Sequence, residues 1–343
     1  GLVSSDLTWE KASTFNIGLD FTMLNQRLDF SFDWYQRTTS DMLVKVEYPE
    51  VLGTTAPPAN KAELRTRGWE VSVKWNDRIG NDFSYDLGFI LSDSQAEITK
   101  YENLSGTLSD YYVGQKIGEI WGYETEGFYQ SDTDVQNHAD QSKLGANWAP
   151  GDIMYKDLDG NKKINNGSNT LDDHGDLKVI GNTTPRYQYG ITANMSYKNV
   201  YLNVFFQGIG KRDFWPSSQP FWPVATQYYN TQKWFVTDSW SEDNRDAYFA
   251  RPIARETKNQ QKQTKYLQDA SYCRLKNLTV GYDFPKSWLS FLHVAKAGVY
   301  FSAENLFEFT NVKGAYDPEA AGKNGTMVYP FQRTYSFGLN VTF

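Results

Sequence analysis

The run 157–165, DLDGNKKIN, is the chain's best arrangement for binding a metal ion. Asp157, Asp159, Asn161, Lys163 and Asn165 stand at alternate positions. That is the spacing of an EF-hand-type loop, which curls so that alternate residues present oxygens to a hard cation such as calcium. Lys163 would contribute its backbone carbonyl. Asp172 or Asp173 would close the site, with Asp176 nearby. The loop also departs from the EF-hand pattern. Lys162 fills the usual glycine position, Gly160 comes early, and Ser168 stands where the closing Glu belongs. A plain Asx-turn loop, in which Asp and Asn side chains bond local backbone, fits the same residues. Calcium is the cofactor this stretch would call for.

A second candidate is a run of flat rings. Between Gly210 and Ala270 come Trp215, Phe221, Trp222, Tyr228, Tyr229, Trp234 and Trp240, with Phe214 and Phe235 among them. Pro216, Pro220 and Pro223 stiffen the backbone between them. Aromatic faces suit sugar rings and apolar side chains, and they anchor protein interfaces. The seven residues named first are therefore candidates for substrate or partner contact. A loop packed on itself around a small core accounts for them equally well. Enzyme chemistry has little support. His138, His174 and His293 are isolated, there is no HExxH, and Asp173 beside His174 is the one partial pairing. The sequence reads as that of a protein that is not an enzyme.

These segments must be held by something, and most of the remaining chain alternates with period 2. Phe15, Ile17, Leu19 and Phe21 alternate with polar or small residues, as do Leu28, Phe30, Phe32 and Trp34. Trp69 to Trp75, Phe83 to Leu91, Arg186 to Tyr197, Val200 to Phe206, Tyr272 to Phe284, Ala297 to Ala303 and Thr334 to Phe343 repeat the pattern. Such strands have one apolar face and one polar face. Nine long strands result, with polar turns at Asn25–Gln26, Asn76–Asn81 and Lys198–Asn199. Connections are short after odd-numbered strands and long after even-numbered ones, the long loops being about 98–185, 210–270 and 305–331. That rhythm is expected of a transmembrane antiparallel β-barrel with short periplasmic turns and long external loops. It would put Phe343 in the periplasm and Trp34, Trp69 and Trp75 in the interfacial aromatic girdle. A secreted all-β protein, such as tandem glycan-binding sandwiches, is the alternative.

Composition agrees. The chain carries 23 Tyr, 21 Phe and 11 Trp, yet its mean hydropathy is −0.62. No run of about 18 apolar residues is present, so no transmembrane helix is expected. The net charge of −7 argues against nucleic acid as a partner. Cys273 is the single cysteine, which rules out an intrachain disulfide.

Several segments, in order, resemble the SusC-like (SusC/RagA family) TonB-dependent outer-membrane transporters of Bacteroidetes. They are WGYETEGFYQ (121–130), PGDIMYKDLDGNKKIN (150–165), IGNTTPRYQYG (180–190), FFQGIGKRDFW (205–215), YCRLKNLTVGYDFP (272–285), ENLFEFTNVKGAYDPE (304–319) and the terminal TYSFGLNVTF. The resemblance implies an all-β fold of about 22 strands around an N-terminal plug, of which this chain would be the C-terminal part. It implies import of a large nutrient, an oligosaccharide or a peptide, with a SusD-like surface lipoprotein as lid and the TonB complex as energy source. A siderophore or cobalamin receptor of the same fold is the alternative. Nine is odd and a closed antiparallel barrel wants an even number, so a plug, a TonB box and further strands are expected upstream of Gly1.

Overall fold

The structure is a computed structural model that describes residues 7–45, 57–218, 221–225, 231–290, 293–314, 316–321 and 331–343. Nine long strands pair antiparallel in chain order: Lys11–Met23, Leu28–Val44, Ala59–Ile79, Phe83–Lys100, Arg186–Tyr197, Val200–Lys211, Tyr272–Asp283, Lys296–Glu304 and Thr334–Thr342. The short strand Glu308–Thr310 adds to the upper end of the seventh. The predicted strand count and the alternation of short and long connections both hold. Ends differ. The third strand continues through Asn76, Asp77 and Arg78, which pair with Asp86, Tyr85 and Ser84, so the expected turn shrinks to residues 80–82. Polar residues extend a ladder wherever a neighbouring strand is there to pair with.

The register explains the alternation. One row crosses all nine strands as Met23, Leu28, Trp75, Leu87, Ala193, Val204, Leu278, Ala303 and Tyr335. The adjacent row reads Thr22, Asp29, Lys74, Gly88, Thr192, Phe205, Asn277, Glu304 and Thr334. Side chains in successive rows point to opposite faces, so one face of the sheet is apolar and the other is mainly polar, with Ile90, Phe205 and Ile209 among its exceptions. Phe15, Ile17, Leu19, Phe337 and Leu339 remain exposed on the apolar face. A sandwich would pack that face against a second sheet; here a single large sheet leaves it free, as a lipid-facing wall requires. Trp75 lies opposite Leu28 beside the first turn, while Trp34 and Trp69 face each other farther up the same two strands.

Close strand packing also depends on glycine. Tyr35, Tyr201 and Tyr300 lie directly opposite Gly68, Gly281 and Gly338 on the polar face. A Cβ at Gly281 would sit 2.1 Å from the Tyr201 ring, so the ring covers the neighbouring strand where a side chain would otherwise stand.

The wall makes a direct prediction. Leu87→Arg, on the apolar face midway along the outward positions of its strand, should lower stability in liposomes by about 2–4 kcal/mol. Ser72→Arg, on the polar face, should change it by less than about 1 kcal/mol. Urea titration of the refolded full-length protein measures both; equal costs would mean that the faces are assigned wrongly.

Candidate functional site in the loop cap

The two longest excursions, residues 101–185 and 212–271, fold together. Glu119–Tyr123 pairs with Leu177–Asn182, and Thr125–Phe128 pairs with Ile153–Tyr155. A short helix, Asp132–Asn137, opens on a capping box: Ser131 accepts from the Asp134 N–H while the Asp134 carboxylate accepts from the Ser131 N–H. Ile153, Tyr155 and Ile164 from the first excursion share one core with Phe221, Phe249 and Tyr266 from the second. Burial in this core pushes the Tyr155 and Tyr266 hydroxyls well above their usual range.

Asp152 fastens the two excursions. It is fully buried and accepts from Arg251 Nε and Nη2 at 2.8 Å each, from Asn259 Nδ2 at 2.9 Å and from the Ala149 N–H at 3.0 Å. Lys258 Nζ, itself buried, lies 3.0 Å away and also donates to the Ala146 and Asn147 carbonyls. Burial alone would raise the Asp152 pKa, but bonds from Arg251, Asn259 and Lys258 outweigh it and hold the carboxyl below the usual range. The third excursion is tied in through Arg274, buried on the seventh strand. Its guanidinium donates to Asp317 and Glu319, and Lys276 bonds Glu319 as well. None of Asp152, Arg251, Lys258, Asn259 or Arg274 stood out in the sequence, because Asp152 meets its side-chain partners across 99 to 107 residues and Arg274 across 43 to 45, which leaves no period to read.

The predicted metal loop is a tight turn. Asp157 accepts from the Gly160 and Lys162 N–H groups, Asp159 from Asn161, and Asn161 from Lys163. Asn165 accepts from Gly167, and the Lys163 carbonyl accepts from Asn165 Nδ2. Lys162 has φ +61°, so the position that an EF-hand gives to glycine is left-handed here too. One oxygen each from Asp157, Asp159 and Asp176 comes within 4.8 Å of the others. Asp176, not Asp172, closes the set; Asp172 is exposed and lies outside it. Asp176 is fully buried and bonds the Leu158 and Asn165 N–H groups, which draws it under the loop. The three carboxylates can offer a hard cation part of its oxygen shell, and their main-chain bonds also close the turn by themselves.

The aromatic candidates separate. Phe221, Trp222 and Trp240 are buried in the shared core, so they correct the expectation of substrate or partner contact: the Phe221 and Trp222 rings pack on each other and on Tyr266 and Phe249, and the Trp240 ring lies against Gly151. Trp234 packs against that core, its ring centroid 4.5 Å from that of Phe249. Trp215 keeps part of its surface exposed. Tyr228 and Tyr229 lie outside the described residues.

Asp152→Ala should cost the cap about 3–5 kcal/mol, because Lys258 and Arg251 lose the carboxylate they surround. Since folding lowers the Asp152 pKa, its contribution is fully present above the ordinary carboxylate pKa and fades as pH falls through the depressed value. Hydrogen exchange should therefore speed up around residues 149–153 and 251–259 in the variant and, in the native protein, only in acid. Unchanged protection in the variant would remove Asp152 from this role.

Comparison with known proteins follows the same outline. A family model described as TonB dependent receptor-like, beta-barrel matches residues 2–306. The chain is 30% identical to TonB-dependent receptor P3 of Formosa agariphila, over 99% of this chain and 35% of that protein. It is 27% identical to TonB-dependent receptor SusC of Bacteroides thetaiotaomicron, over 99% of this chain and 32% of that protein. Among solved structures it is similar to one described as the RagAB peptide transporter, with a TM-score of 0.74 and 25% identity over 98% of this chain and 36% of that chain. The chain thus spans about a third of the length of the curated relatives it matches.

Proposed function

Because this chain belongs to the TonB-dependent receptor-like β-barrel family of the outer membrane, we propose that it forms the C-terminal wall and outer cap of a nutrient importer. The cargo is an oligosaccharide or a peptide, taken up with TonB-derived energy beneath a SusD-like lipoprotein lid. The observation that carries this reading is the asymmetry of the sheet. Nine paired strands have an apolar outer face, and the folded excursions all rise from the same rim. A wall with a structured cap at one rim suits selective admission better than an open pore. The solved relative described as the RagAB peptide transporter supports a cargo of that size class. In this orientation the short turns and Phe343 face the periplasm.

The test uses the full-length protein in its own membrane. Deleting the gene should abolish growth on one glycan or peptide source, and loss of TonB should do the same. A surface lipoprotein should co-purify with the native importer. Orientation is checked in a Cys273→Ser background: a cysteine at Asp243 should react with a membrane-impermeant maleimide on intact cells, and one at Lys198 should not. Growth on every such source without the gene, or the reverse labelling pattern, would reject the reading.

Calcium at Asp157, Asp159 and Asp176 is part of the same proposal. Chelation with EGTA should then lower the melting temperature of the cap by several degrees, and Asp176→Asn should abolish that difference. Identical melting with calcium and with EGTA would leave the loop as a turn closed by its own hydrogen bonds.

A further inference from the structure

A cleft of about 530 Å³ lies between the two large excursions. Its floor is well built. Glu119–Tyr123 pairs with Leu177–Asn182 on one side; on the other, the Tyr123 N–H donates to the Lys262 carbonyl at 2.8 Å and the Thr264 N–H donates to the Tyr123 carbonyl at 3.1 Å. Gly122 permits this approach, since a Cβ there would stand 2.5 Å from the Lys262 carbonyl oxygen. Trp121 and Trp215 line the cleft, and each is partly exposed. The Trp121 indole N–H donates to the Tyr112 hydroxyl at 3.1 Å, and that hydroxyl donates to Glu119, which fixes the ring. Asn166 and Gln261 present amides, and Lys143 and Lys262 present the charges.

The charge pattern is informative. The chain as a whole is acidic, at −7, yet among the described residues no carboxylate lines this cleft. Both lysines are exposed, and neither forms an ion pair among the described residues. Partly exposed tryptophan faces pack against the apolar face of a pyranose ring, amides serve both donors and acceptors of sugar hydroxyls, and ammonium groups pair with an anion. The size lies within the ~300–1,000 Å³ range of small-ligand sites. A peptide has less to engage. Extended peptides bind by adding to a free strand edge; one edge of the 119–123 segment is paired with 177–182, and the other is taken at Tyr123 by Lys262 and Thr264.

We propose that this cleft is a subsite for an acidic sugar, one bearing a carboxylate or sulfate, with Trp121 and Trp215 stacking on its ring and Lys143 and Lys262 holding its charge. The inference rests on the import reading above and narrows its cargo to anionic oligosaccharides.

Calorimetry on the detergent-purified full-length protein tests it, with tetragalacturonate, a sulfated carrageenan tetrasaccharide, maltotetraose and tetraglutamate as probes. At least one acidic sugar should bind tenfold or more tightly than maltotetraose. Lys143→Ala with Lys262→Ala should remove that preference, while Lys143→Arg with Lys262→Arg should keep it and show that the cap still folds. Binding of neither acidic sugar, equal affinity for maltotetraose, or a preference retained in the double alanine variant would overturn the proposal. Tighter binding of tetraglutamate would make the cleft an acidic-peptide site instead and overturn it equally. TonB-dependent uptake is measured separately in cells. If uptake persists with no acidic preference, the subsite fails alone; if no TonB-dependent uptake exists, the import reading fails.

Discussion

Everything in this structure depends on backbone pairing in strict register. A strand that faces lipid has no water to satisfy its amides, so every N–H and C=O must find a partner in the neighbouring strand. Pairing at one register then fixes which side chains face outward, and a slip of one residue would turn each of them to the wrong face. The row from Met23 to Tyr335 shows how far that single choice propagates: nine strands agree on one apolar face without a second layer to enforce it. The tyrosines laid over Gly68, Gly281 and Gly338 extend the agreement to the polar face, where ring and glycine occupy one shared space.

Above the rim the governing physics changes. Water is available again, alternation is no longer required, and stability has to come from an ordinary closed core. The excursions supply it with packed rings around Phe221 and Tyr266 and with a buried carboxylate whose partners come from both loops. Buried charge adds little net stability when fully paired, but it is severe on any arrangement that leaves a member unpaired. Asp152 and Lys258 therefore specify how the excursions meet more than how strongly they do.

This division explains what could be read from the chain. The strands were legible because period 2 is a local signal, and the alternation of connection lengths gave their order and direction. The cap was not. Phe221, Trp222 and Trp240 carry the same composition whether they stack on a ligand or on one another, and nothing local distinguishes the two. Asp176 joins Asp157 and Asp159 through a fold of the loop that brings residues nineteen apart together, so spacing within 157–165 could not choose it over Asp172. The cleft at Trp121 draws residues from six separated segments, and only Trp215 among its members was singled out by its type and neighbourhood.

The shared core has a mechanical consequence. The two large excursions are rooted in the fourth, fifth, sixth and seventh strands, which are consecutive in the sheet. With one core and one buried clasp between them, they cannot swing independently, and the floor segment 119–123 is gripped by both. The assembly is thus a bracket mounted on one arc of the wall, steadied at its base by the bidentate pair of Arg186 with Asp93. A load applied anywhere on it is carried as torque into those four strands, so the stiffness of the entrance is set by the wall beneath it.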